Sequence, residues 1–114
     1  MNAVTNYIIQ FLQIFPEANA TYARHLLEND ELLPHLFLAD IIRDIRQNNP
    51  AMICEDALQR LMNHIESGLG SYEPEIAELV GVSFVGNLVG EDYILKMLLP
   101  HSGPFFRREL SQYK

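Results

Sequence analysis

Apolar residues recur at three- and four-residue spacing through most of this chain, the pattern of helices that bury one face. Tyr7 or Ile8, Phe11, Leu12 and Phe15 form the first stripe. Pro16 ends it, because proline disfavours helical geometry in the residue before it. Thr21 is placed to cap the next segment, YARHLLEN, which sets Tyr22, His25, Leu26 and Asn29 along one side. Asn29–Glu31 reads as a solvated turn. Pro34 suits a helix's first turn, where its missing N–H is not needed. HLFLADIIRDIRQ follows, with Leu38, Ile41, Ile42 and Ile45 inward and Asp40, Arg43, Asp44 and Arg46 on the other side. Asn48–Pro50 terminates it. CEDALQRLMNHIESG turns Leu58, Leu61, Met62 and Ile65 inward, with Gly68 and Gly70 as exits.

The stretch from Glu75 to Pro100 is the most apolar and the most ambiguous. Ile76, Leu79, Val80, Ser83, Phe84, Asn87 and Leu88 recur at helical spacing, while Val80, Val82, Phe84 and Val85 favour a strand. Helix is the better reading, because Glu75–Leu79 extends the pattern and no partner strand exists elsewhere. Gly81 and Gly86 each cost roughly 1 kcal/mol relative to Ala inside a helix, which close helix–helix approach offsets. Gly90 ends the segment. EDYILKMLLP is a short helix stopped by Pro100, and GPFFRRELSQYK restarts at Pro104. There Phe105, Phe106 and Leu110 face the bundle, and Arg107 and Arg108 face solvent. The expected fold is all-α: a compact irregular bundle of six or seven short helices forming a single domain over residues 1–114.

Length and charge narrow the function. The 114 residues suffice for one real core, and a hydrophobic fraction of 48% is that of a globular protein. Fifteen acidic residues against eight basic ones give a net charge of −7. Such a surface repels nucleic acid and anionic lipid and attracts a basic protein. No uninterrupted apolar run reaches the roughly 18 residues that a membrane span needs. YIIQFLQIF followed by Ala18–Ala20 has the outline of a signal peptide, but no Lys or Arg precedes Arg24, and Gln10 and Gln13 break the run. The expected location is cytoplasmic. Cys54 is the single cysteine, excluding an intrachain disulfide, and is expected to be a small packed residue.

No motif announces a reaction. Gly81, Gly86 and Gly90 lack the tight spacing and the GK[ST] of a phosphate loop. His25, His35, His64 and His101 are far apart, without HExxH or CxxC, so neither metal nor cofactor is expected. His35, after Pro34, is expected to satisfy a turn. Asp40 and Asp44 lie one turn apart beside Arg43 and Arg46, which reads as a surface charge network. An acidic rim remains. Glu73, Glu75 and Glu78 cluster at a helix start, as do Glu55–Asp56 and Glu91–Asp92, where carboxylates complement the helix dipole. Local structure does not account for the global excess, since Lys96 and Lys114 are the only lysines. Glu73, Glu75 and Glu78 with Tyr72 are therefore the first candidates for a partner-binding face. Asp30, Glu31, Asp40 and Asp44 come second, and Tyr22, Tyr72 and Tyr93 are candidate aromatic anchors.

Three blocks, LLPHLFLADIIRDI, EIAELVGVSFVGNLVGED and LLPHSGPFFRREL, resemble those of a small bacterial helical family of uncharacterised function, some of whose members resemble immunity proteins of toxin–immunity systems. The blocks fall within Leu32–Ile45 and Glu75–Leu110 and are packing signatures rather than catalytic ones. The resemblance implies a helical, non-enzymatic protein that binds a toxin, expected to be a basic nuclease domain, and blocks its active site. It implies no active-site residue. The alternative expectation is a regulatory or scaffold module that binds another protein's helix.

Overall fold

The computed structural model describes residues 2–113. Seven α-helices follow one another among them: α1 Ala3–Ile14, α2 Asn19–Asn29, α3 Pro34–Arg46, α4 Glu55–Leu69, α5 Pro74–Val80, α6 Asp92–Leu98 and α7 Pro104–Ser111. No described residue is in a strand. The valine-rich stretch is helical, because α5 runs directly into a π-helical turn over Gly81–Val85 and a 3₁₀ turn over Gly86–Leu88. The radius of gyration, 13.0 Å, is that of one folded unit of this size, about 13 Å for 100 residues. The fold is all-α, as the periodicity predicts.

Aromatic rings organise the core. Phe11 meets Phe15, Phe37 and His64 edge-on, with centroids 5.9, 6.1 and 5.4 Å away. Tyr7 stacks on His64 at 4.2 Å. Its hydroxyl donates to the His64 carbonyl at 2.8 Å, and His64 Nε2 lies 3.1 Å from the Tyr7 carbonyl. A carbonyl only accepts, so Nε2 carries the proton and the two residues bond reciprocally. Packing there sets the next correction. Gly68 is not an exit but a buried position inside α4, where a Cβ would stand 2.6 Å from the Tyr7 hydroxyl and 2.9 Å from Val80. Gly70 does close α4, yet with φ −90° rather than in the left-handed region; the Phe105 ring lies 2.9 Å from where its Cβ would be.

Several local expectations change for physical reasons. Thr21 is not a cap: the 3₁₀ turn Pro16–Ala18 feeds α2 directly from Asn19, leaving Thr21 buried inside the helix. Cys54 is not packed; it is the exposed residue before α4, its thiol directed at the Ala51 carbonyl. A π turn takes one more residue than an α turn and so rotates the register after it. Val85 is therefore buried, whereas Asn87, expected inward, is exposed and donates to the Ser83 carbonyl at 2.7 Å. His35 reaches Ser83 of the π turn rather than its own turn. No side chain of its own caps the start of α7. Glu66 of α4 does so instead, accepting from the Phe105 and Phe106 N–H groups at 2.6 and 2.9 Å. Phe106 and the half-buried Leu110 pack inward as expected, while Phe105 is 39% exposed beneath the Arg108 guanidinium.

Two predictions follow from the core. Gly68→Ala adds a methyl where Tyr7 and Val80 leave no room, so stability falls by about 1–3 kcal/mol despite the better helix propensity, seen as a lower urea midpoint. Burial also pushes the His64 imidazole below the ordinary 6.5, partly opposed by its bond to the Tyr7 carbonyl. The unfolded chain takes that proton first, so the contribution of neutral His64 is complete above the ordinary value and is lost as pH falls below it. The urea midpoint will decline between about pH 7.5 and 5.5, and a His64→Gln variant will be less stable throughout but flatter over that window.

Candidate partner-binding face

The acidic residues divide into those the fold uses and those it leaves free. Asp44 belongs to the first group. It was expected on the outer side of α3, but α2 packs over that side and leaves Asp44 5% exposed. Its carboxylate accepts from the Thr21 hydroxyl, and one Arg24 amino nitrogen lies 2.9 and 3.0 Å from its two oxygens. Asp40 is likewise engaged. Leu33 N–H donates to His25 Nε2 at 3.0 Å, so Nε2 is unprotonated and the Nδ1–H of this fully buried ring points at Asp40, 2.9 Å away. Arg43 stands 3.4 Å from the other Asp40 oxygen. The Asp40–Asp44 pair is thus a buried and half-buried seam between α2 and α3 rather than a surface network.

Other carboxylates are consumed as well. Glu17 and Asp56 converge on Arg60 at 2.7 and 2.9 Å, and Glu91 pairs with Arg46 at 2.7 Å. The Arg60 hydrogen bonds hold the Glu17 carboxyl below the usual carboxylate range. Arg24, Arg43, Arg46 and Arg60 are therefore all committed within the molecule.

Of the carboxylates left without such partners among the described residues, three gather at the start of α5. Ile76, Leu79 and Val80 bury one face of that helix and fix its position, which turns Glu75 and Glu78 to the other face. Glu73, Glu75 and Glu78 are exposed, and among the described residues none has an ion pair or a side-chain hydrogen bond. Tyr72 beside them is completely exposed, at 103%. The dipole accounts for Glu75, in the first turn, but fades beyond it, so Glu78 has no such local explanation. Asp30 and Glu31 form a second exposed acidic place. There Asp30 takes a left-handed backbone, φ 64°, that closes α2 through its N–H to the Leu26 carbonyl at 2.8 Å.

Of the candidate anchors, Tyr72 is free and Tyr93 is 61% exposed, with its hydroxyl on Asn48. Tyr22 packs edge-on against Phe37 at 5.6 Å and belongs to the core wall. Sequence reasoning missed the apolar surface beside the rim. Val82 is 54% and Val89 48% exposed, and Val89, Gly90, Leu95, Leu110 and Tyr113 line a cleft of about 180 Å³. Its one sequence signal was Gly90, whose φ of +83° marks the corner that opens it.

The chemistry available elsewhere is limited. Ser83 contacts His35 Nδ1, but Ser83 is buried and, among the described residues, no carboxylate orients His35. No three His, Cys, Asp or Glu side chains of the described residues converge to hold a metal ion. None of their helices is long and apolar enough to cross a membrane. Comparison with protein-family models, curated proteins and solved structures finds no match.

The division of carboxylates is measurable. Asp44→Ala strands the buried Thr21 hydroxyl and the Arg24 guanidinium and will cost about 1–3 kcal/mol. Glu75→Gln and Glu78→Gln together will stay within about 0.5 kcal/mol of the parent, as for free surface positions. Paired thermal melts of the two variants check both values.

Proposed function

We propose that this chain is a non-catalytic immunity protein: it binds a basic toxin domain, a nuclease in the reading that the sequence resemblance favours, and covers the groove in which that toxin holds nucleic acid. The observation that supports this is the trio Glu73, Glu75 and Glu78, free of internal partners around a fully exposed Tyr72, in a chain of net charge −7. Carboxylates on one helix edge stand in for phosphates before a basic groove and speed encounter with it. They do not supply the affinity alone. A nanomolar complex requires about 12 kcal/mol, while a rim charge contributes under about 1 kcal/mol. An aromatic anchor closes that gap, and Tyr72 has the position for it.

Three measurements test the reading, with a basic nuclease domain encoded beside this chain as the partner. One equivalent of the chain will stop the nuclease from cutting DNA or RNA. The association rate will fall steeply from low to physiological salt, because exposed charges are screened within a Debye length of roughly 10 Å at 0.1 M, while dissociation changes little. Glu75→Gln with Glu78→Gln will weaken binding and leave the melt in place. A double variant that binds and inhibits like the parent removes this face from the complex.

A further inference from the structure

The cleft beyond the π turn is built differently from the rest of the surface. Val89 leaves the helix with an extended backbone, Gly90 turns back with φ +83°, and nothing stands within 4 Å of where a Gly90 side chain would be. Leu95 from α6, Leu110 from α7 and Tyr113 from the turn after α7 complete the walls. Tyr113 is held in place, its hydroxyl donating to the Gly81 carbonyl at 2.8 Å. At about 180 Å³ the cleft is smaller than the 300–1,000 Å³ of sites that enclose whole small-molecule ligands. It matches a single large apolar side chain.

Charge says whose side chain it is. Glu109, next to Leu110, lies over Gly81 with its carboxylate 3.2 Å from where a Cβ would be, and it has no ion pair or side-chain hydrogen bond among the described residues. Asp92, in the first turn of α6, is exposed and likewise without an ion pair among the described residues. From the rim the exposed line Glu75, Glu78, Val82 and Asn87 runs along the same helix toward Val89. An apolar slot at the end of an acidic edge is complementary to an amphipathic segment that carries cations along one side and an apolar anchor.

We infer that this cleft is the anchor site for a basic amphipathic helix of a protein partner, with a Trp, Phe or Leu side chain between Val89, Leu110 and Tyr113 and Lys or Arg side chains along Glu75, Glu78 and Glu109. The inference rests on the reading of a basic protein partner and names the chemistry of its recognised segment.

The chain has no Trp, so a peptide Trp reports its own burial. The probe is a short helical Lys/Leu/Ala peptide with one Trp on its apolar face, beside a control peptide with Glu in place of every Lys. The Lys peptide's emission will move to the blue at low salt, and the Val89, Leu95 and Leu110 methyl resonances will shift. Val89→Ser will weaken binding about tenfold, as for loss of an anchor contact, and Val89→Lys will abolish it, both with unchanged melts because Val89 is half exposed. Glu75→Gln with Glu78→Gln will weaken binding while the blue shift at saturation is retained. An absent blue shift, equal binding of the Glu peptide, or parent-like binding by Val89→Lys overturns the anchor site. A double Gln variant that binds like the parent while Val89→Lys fails keeps the cleft and removes the acidic rim, so the two readings fail separately.

Discussion

The Asp44 carboxylate, enclosed between α2 and α3, imposes the constraint on which much of the remaining structure depends. A buried carboxylate must be paired and hydrogen-bonded, and Thr21 and Arg24 meet that demand only when α2 sits in one register on α3. The same register brings His25 to Asp40 and lets its second nitrogen receive the Leu33 N–H, which pins the corner between the two helices. Four arginines are drawn into internal pairs in this and the neighbouring contacts. With only two lysines in the chain, folding uses much of the available positive charge and leaves the carboxylates of α5 uncompensated. The acidic surface is in this sense a by-product of how the interior satisfies its own charges.

The π turn has a comparable reach. Gly81 and Gly86 lie where α7 comes closest to this helix, under the Glu109 carboxylate and the Tyr113 hydroxyl. The wide turn between them leaves the Gly81 carbonyl accepting from both the Gly86 N–H and the Tyr113 hydroxyl. By rotating the register it buries Val85 and exposes Asn87, and it delivers Val89 to the edge of the apolar cleft. A strictly α-helical continuation would have kept Asn87 on the buried stripe. One extra residue in one turn thus connects the acidic edge to an apolar slot.

Helix order, the proline boundaries, the apolar faces of α1, α3 and α4 and the acidic balance were legible in the sequence, because each follows from local periodicity, from backbone preferences of single residues or from composition. Even the valine-rich stretch resolved as helix on the same grounds. The free carboxylates Glu73, Glu75 and Glu78 were legible too, since a helix start bearing an apolar stripe turns its remaining residues to solvent.

What tertiary structure alone decided is how each polar or small residue is used. Asp44 looks like a surface charge until α2 covers it, and Thr21 looks like a cap until its partner 23 residues away is known. His64 and Gly68 gain their roles from Tyr7, whose hydroxyl reaches a carbonyl 57 residues distant. Glu66 caps a helix that begins 38 residues after it, a bond invisible in the sequence around either end. The cleft gathers Val89, Leu95 and Tyr113 from three separate stretches of the chain, and no single helix period announces it. Periodicity reports which face of a helix is apolar. It carries no information on which other helix lies across the polar face, and that neighbour determines whether a carboxylate is spent in the fold or left for a partner.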